Sequence, residues 1–239
     1  MIIIPARLAS TRFPKKVLAD IDGTPMVVAT AKRVKDIDRV VIATDSSEVL
    51  DIAKEYGFEA VLTREDHQSG TDRINEAASK LNLSDDEIVI NLQGDEPFIE
   101  KEVVQALYNR CKNIKDEMMV SCYKEIESDL GDDPNLVKVV LNRYEEAIYF
   151  SRSKIPFARD AESKYFGHIG IYGFKRATLK EFCSLGHSPL EDIEKLEQLR
   201  AIYHGKKISM VRVESNSFGI DTIEDLNKAL DIRKRGGKN

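Results

Sequence analysis

Short apolar runs alternate with amphipathic stretches through the first part of the chain, a pattern that predicts parallel strands joined by crossover helices. Strand-like runs fall at residues 2–4, 40–43, 60–62 and 87–92, while helical patterns follow Pro25, cover 47–56, follow Gly70 and follow Pro97. Asp45 and Ser46 stand where the cap of the second helix belongs, and Asp36 to Asp38 supply the turn before the second strand. This repetition is the signature of an α/β, Rossmann-like fold with a mostly parallel sheet, in which ligands are expected outside the carboxyl ends of the strands.

From about Met118 to Val213 the rhythm changes. Strand-like segments at 118–123, 136–141, 147–151 and 166–174 come with few helices between them, which predicts an antiparallel extension of the sheet. Such an extension either closes over a second substrate or forms a subunit contact, or it is simply an edge of the core. A helix over 189–203, with Ile193, Leu196, Leu199 and Tyr203 as one apolar stripe and the acids and Gln198 off it, a strand at 208–213 and a helix at 223–235 complete the pattern. The whole reads as a single domain over 1–239, with about 118–213 as a subdomain.

Composition narrows the class. A 42% hydrophobic chain of 239 residues can bury a substantial core, and a formal net charge of -5 provides no basic field for long DNA or RNA. Cys111, Cys122 and Cys183 form neither a disulfide framework nor a CxxC motif, and are expected as buried thiols in a reducing cytoplasm. No apolar stretch approaches the ~18 residues that a membrane span requires, so a soluble, unexported protein without a membrane partner is expected.

Against this acidic background the loop after the first strand stands out. Arg7, Arg12, Lys15 and Lys16 crowd it, Ser10 and Thr11 add hydroxyls, and Pro14 stiffens it. Neither the P-loop pattern nor the dinucleotide glycine fingerprint is present, so a triphosphate here would be held largely by side-chain cations; the alternative is a solvated basic loop. Asp95, in the Gln93-Gly94-Asp95-Glu96-Pro97 run, is placed either to hold Mg²⁺ together with substrate phosphates or to make an Asx turn before the next helix. Asp221, in Gly219-Ile220-Asp221-Thr222, is a second strand-end acid able to clamp the same ion, unless it or Thr222 serves as a helix cap.

Three further stretches carry polar groups. In the loop from Arg64 to Arg73, Ser69 and Gly70 either approach a base or ribose closely or cap the helix, and His67 has no neighbouring nucleophile or metal-ligand partner. Arg152, Lys154 and Arg159 suit a carboxylate or are exposed edge charges, and residues 168–173 alternate polar or small with apolar positions.

Seven segments in order, at 5–16, 66–73, 93–97, 149–156, 168–173, 188–200 and 219–222, closely resemble the 3-deoxy-manno-octulosonate (Kdo) cytidylyltransferases of Gram-negative bacteria, and the resemblance runs from residue 2 to about 230. It implies a nucleotidyltransferase of lipopolysaccharide biosynthesis that uses CTP and Mg²⁺ to convert Kdo into CMP-Kdo with release of pyrophosphate, and it implies a cytoplasmic homodimer. On that resemblance Arg7, Arg12 and Lys16 hold the triphosphate and, with Asp95 and Asp221 as metal ligands, form the catalytic set. Ala6, Arg64, Ser69 and Gly70 line the cytidine pocket, with Ser10 and Thr11 among the nucleotide contacts. Gln93, Arg152, Arg159, His168, Tyr172, Glu197 and Gln198 face the sugar acid, and 118–213 becomes a sugar-binding and dimerisation subdomain.

The chain departs from the family pattern where Pro14-Lys15-Lys16 replaces a Pro-Gly-Lys, and where the stretch between Arg159 and His168 is short. The rival readings are a CTP-dependent synthetase for a related substrate (an amino analogue of Kdo, a nine-carbon sugar acid or a hexose 1-phosphate) and a non-catalytic nucleotide-sensing module.

Overall fold

The computed structural model describes residues 1–9, 13–160 and 164–236, the last five of these by backbone alone. Ser10, Thr11 and Arg12 therefore lie outside the described residues. In chain order the elements are β1 (Ile2–Ala6), β2 (Asp20–Ile21), β3 (Thr24–Pro25), α1 (Met26–Val34), β4 (Val40–Thr44), α2 (Ser47–Glu55), β5 (Glu59–Leu62), α3 (Gly70–Lys80), β6 (Ile88–Asn91) and α4 (Lys101–Cys111). They continue with β7 (Met119–Ile126), β8 (Lys138–Leu141), β9 (Ala147–Ser151), β10 (Tyr165–Lys175), α5 (Arg176–Ser184), α6 (Pro189–Glu194), α7 (Leu199–Tyr203), β11 (Ile208–Arg212) and α8 (Ile223–Gly236). The fold class is mixed α/β with parallel and antiparallel strands, as the alternating pattern predicts.

The chain divides into two compact units, the first made of Met1–Asn82, Asn91–Val104 and the segment from Asn216 onward, the second of Leu83–Ile90 and Gln105–Ser215. In the first, β4 pairs in parallel with β1 from Ile2↔Val40 to Ala6↔Thr44, and with β5 from Val41↔Glu59 to Thr44↔Leu62. Every residue of β1 and β4 is buried, which is why both strands read as unbroken apolar runs: a parallel strand covered on both faces has no polar side to show. Ser46 caps α2 through Val49 N–H at 3.4 Å, while Asp45, expected to share that task, is engaged elsewhere.

Between the basic loop and α1 lies the β2–β3 hairpin, which the sequence analysis overlooks. Its turn is Asp22-Gly23, both left-handed at φ 50° and 81°, the conformation an Asp-Gly two-residue turn favours. Ile21 of that hairpin, Met26, Ile220 and Ala229 form a buried cluster joined by Phe13, Phe98, Phe218 and Leu226. Full burial of side chains such as Ile220 and Met26 contributes about 1.5–3 kcal/mol each, and here it pins the segment before α8 to the start of α1.

In the second unit β10 pairs antiparallel with β7 from Tyr165↔Ile126 to Gly173↔Val120, with a shift of register between Ile169 and Tyr172. The hairpin β8–β9 meets β10 at Gly167↔Lys138, and β11 lies parallel to β7. Helix α5, which the sequence analysis does not predict, buries Leu179 and Phe182 and follows β10 without an intervening loop.

The single helix expected over 189–203 is two short ones. Ser188 and Glu191 form a capping box that starts α6, and Lys195 at φ 54° ends it in the left-handed conformation. The apolar stripe does not form: Ile193 is 78% and Tyr203 53% exposed, whereas Glu191, Gln198 and Arg200 are buried. The break lets Arg200 turn back on Glu191 through two hydrogen bonds of 2.9 and 2.6 Å, a geometry that a continuous helix would not reach across nine residues.

That fork sets a prediction. Removing one partner of a buried ion pair strands the other, so Arg200→Met should destabilise the protein by about 3–5 kcal/mol in urea unfolding, with the Glu191→Met/Arg200→Met double variant clearly less affected.

Candidate active site

The carboxyl ends of β1 and β6 and the start of α3 enclose a cavity lined by Pro5, Arg7, Lys16, Val17, His67, Gln68, Ser69, Gly70, Arg73, Gln93, Gly94 and Asp95. Two glycines permit its close walls. A Cβ at Gly94 would come within 3.0 Å of the Pro5 carbonyl, and one at Gly70 within 3.1 Å of the Pro5 ring. Ser69 rather than Gly70 caps α3: its hydroxyl accepts the Asp72 N–H at 3.1 Å and donates to the Asp72 carboxylate at 2.9 Å.

Lys16 stands at the centre. Its Nζ lies 2.6 Å from Asp95 Oδ2 and 2.9 Å from Asp221 Oδ1, so the two distant acids meet on one ammonium. Burial opposes that charge, but Asp95 and then Asp221 outweigh it and raise the Lys16 pKa. The acids are brought together by the backbone, because Ile220 N–H donates to the Asp95 carbonyl at 2.9 Å. The cap of α8 is made by Thr222 and Asp225, with Thr222 Oγ1 accepting the Asp225 N–H at 3.1 Å and the Asp225 carboxylate accepting the Asp221 and Thr222 N–H groups, so the Asp221 side chain is turned to Lys16.

This pair fits a hard divalent cation. Mg²⁺ takes one or two protein carboxylates and completes its shell with phosphate oxygens and water, and among the described residues no larger His, Cys, Asp or Glu cluster surrounds the pair. Lys15, at the position where the family pattern has glycine, is left-handed at φ 52°, and its Nζ pairs with Glu48 at 2.8 Å.

The other nucleotide candidates divide. Arg7, Ser69 and Gly70 line the cavity, whereas Ala6 is fully buried within β1 and Arg64 is exposed, paired with Asp66 at 2.9 Å. His67, Gln68 and Arg73, to which no pattern in the sequence assigns a role, also line it. His67 Nε2 is hydrogen-bonded to Glu76, whose carboxyl is held at about 2 against the opposing effect of burial by Lys80, His67 and the Arg64 N–H. Gln93 lines the cavity too, its amide donating to Asn91 Oδ1 at 3.2 Å while Asn91 donates to Thr71 Oγ1 at 3.0 Å.

In the second unit the structure brings His168, Tyr172 and Gln198 together. Tyr172 donates to Gln198 Oε1 at 3.0 Å, His168 Nε2 shares a 2.8 Å hydrogen bond with Ser121 Oγ, and the Phe150 ring stands edge-on to the imidazole at 4.9 Å. Burial lowers the His168 pKa to about 3 and, with Glu197 nearby, raises that of Tyr172, so both are neutral at pH 7. Arg152 is not in this cluster: its guanidinium is spent on the carbonyls of Glu194 at 2.8 Å and Pro134 at 2.9 Å. Arg159 is exposed beside Asp160 at 3.7 Å.

A family model described as cytidylyltransferase matches residues 1–208. The chain is 56% identical over 231 residues to the 3-deoxy-manno-octulosonate cytidylyltransferase of Nitratiruptor sp., covering 95% of this chain and 97% of that protein. It is 52% identical over 240 residues to the protein of the same name from Wolinella succinogenes, covering 97% and 98%. A solved structure of CMP:2-keto-3-deoxy-manno-octonic acid synthetase complexed with CTP superposes with a TM-score of 0.92 at 37% identity, covering 98% of each chain.

The buried imidazole makes stability depend on pH. The folded pKa of His168 lies below the unfolded value, so the stabilisation is complete above about pH 6.5 and is lost as pH falls from there towards the folded value of about 3. Between pH 7 and 5 the wild type should lose about 2 kcal/mol more of unfolding free energy in urea than His168→Gln does.

Proposed function

The chain belongs to the cytidylyltransferase family, and we propose that its reaction is transfer of CMP from CTP to the anomeric hydroxyl of Kdo, with release of pyrophosphate. The observation that carries this reading is that Lys16, which lines the cavity with Arg7 and Asp95, bridges Asp95 to Asp221: a paired-carboxylate site next to cations is what a nucleoside triphosphate and its metal require.

Nucleotidyl transfer makes few covalent demands on a protein; it asks for positioning and for positive charge where negative charge collects on the α-phosphate and the departing pyrophosphate. In this reading Arg7 and Lys16 hold the triphosphate, Arg12 contributes to the same loop, and Ser69 and Gly70 bring the start of α3 close to the nucleoside. Asp95 and Asp221 would hold Mg²⁺, which when bound would neutralise phosphate charge and make the sugar hydroxyl more acidic, in place of a dedicated side-chain base. Lys16, whose ammonium lies between the two carboxylates, would share in neutralising the phosphate charge.

His168, Tyr172 and Gln198 are assigned to the sugar acid, offering neutral donors and acceptors of the kind a polyhydroxy ligand matches. The proposal extends to a cytoplasmic homodimer in which the β8–β9 arm makes the subunit contact, a reading supported by the exposed Tyr144 and Ile148 on that arm. Among the described residues no helix is long and apolar enough to cross a membrane.

Pyrophosphate release measured with CTP, Mg²⁺ and Kdo, and with UTP or other sugar acids in place of each substrate, tests the assignment. Turnover should be specific to the CTP–Kdo pair, and Asp95→Asn should lower kcat by about 100-fold or more while circular dichroism is unchanged. Near-normal turnover by that variant would reject the metal-holding role of Asp95.

A further inference from the structure

Asp45 lies just beyond β4, and its two oxygens serve different segments of the chain. Oδ1 accepts the backbone N–H of Leu8 at 3.0 Å, while Oδ2 accepts from Arg73 Nη2 at 2.8 Å. Arg73 comes from α3 and is almost wholly enclosed, with 3% of its side chain exposed. Its Nη1 donates to Thr63 Oγ1 at 2.6 Å and to the Arg64 carbonyl at 3.2 Å. The guanidinium and the carboxylate together therefore tie the chain leaving β1, β4 and β5, three strands adjacent in the parallel sheet.

Such a pair is a poor way to gain stability, since replacing buried ion pairs by apolar residues is often neutral or stabilising. This one fills no apolar core. Its hydrogen bonds go to loop backbone and a loop hydroxyl at the ligand-binding end of the strands, where a fixed backbone matters more than packing. Arg7 directly precedes the Leu8 amide it holds, and His67 follows the Arg64 carbonyl it holds; both residues line the cavity.

We propose that Asp45 and Arg73 are positioning residues for the nucleotide site, a buried pair that sets the paths of the β1 and β5 exit loops and so aims Arg7 and His67 at the bound triphosphate nucleotide. The inference rests on the reading of this cavity as the CTP site. Arg73 also lines the cavity but Asp45 does not, so the part of the effect that Asp45 carries runs through the loops; loss of the pair should weaken nucleotide capture while leaving the sugar acid and the chemical step little changed.

Steady-state kinetics with each substrate varied in turn, thermal unfolding, and amide hydrogen exchange at Leu8 without nucleotide test it in the full-length enzyme. Arg73→Met, and Asp45→Asn at a residue that does not line the cavity, should each raise the KM for CTP by about tenfold or more, keep kcat at saturating CTP and the KM for Kdo within about threefold of wild type, and speed exchange at Leu8. Arg73→Lys should recover part of each loss. A kcat that falls in step with the folded fraction while the KM for CTP stays at the wild-type value, or unaltered exchange at Leu8, would overturn the proposal. Should Arg73→Met not accumulate as folded protein, Asp45→Asn and Thr63→Val keep side-chain volume and carry the same test, with a raised KM for CTP supporting the role and an unchanged one rejecting it. A wild type that binds no CTP would instead reject the assignment of the cavity, while Leu8 exchange in Arg73→Met still reports on the loops.

Discussion

The hydrogen bond from Ile220 N–H to the Asp95 carbonyl is the constraint on which the rest of the candidate site depends. It joins the loop after β6 to the segment before α8, residues more than half the chain apart, and it fixes where both carboxylates emerge. The apolar cluster of Ile21, Met26, Ile220 and Ala229 holds that contact in place, so hydrophobic burial among residues that do not line the cavity determines the spacing of the acids. Two carboxylates this close repel each other unless a cation lies between them, and Lys16 supplies it.

The two units use different physics. In the first, charge dominates: Lys16 with its two acids, Arg73 with Asp45, and Glu76 held ionised beside His67. In the second, the candidate ligand groups are kept neutral by enclosure, with Tyr172, Gln198, His168 and Ser121 linked by hydrogen bonds and Phe150 closing one side. Enclosure that keeps imidazole and phenol uncharged preserves them as directional donors and acceptors, which suits discrimination among hydroxyl patterns more than it suits binding of bulk charge.

Much of the parallel half was legible in the sequence, because β1 and β4 are covered on both faces and α2 and α3 begin at serine caps. The break in 189–203 is not legible there, because periodicity cannot register a left-handed residue such as Lys195, nor the attraction that folds Arg200 back onto Glu191. Helix α5 was missed since it follows β10 with no turn residue between them. Within the candidate site, Asp95 was visible as an isolated acid at the end of a strand and Lys16 as one cation of a crowded loop, whereas Asp221, expected at a strand end, lies directly before α8, nine residues past the end of β11. Its place between the acids, and the roles of Arg73 and Asp45, arise from contacts across long stretches of chain that no local pattern encodes.

Lys15 carries a consequence of its own. A side chain held in the left-handed well costs roughly 1–2 kcal/mol against the ordinary helical one, so the turn that presents Lys16 is a strained spring. The latch on that spring is Glu48 in the first turn of α2, a helix whose residues do not line the cavity. Both partners are open to solvent, so dissolved salt loosens the latch, and ionic strength gains a handle on the cradle's geometry that is separate from its screening of the ligand's own charge.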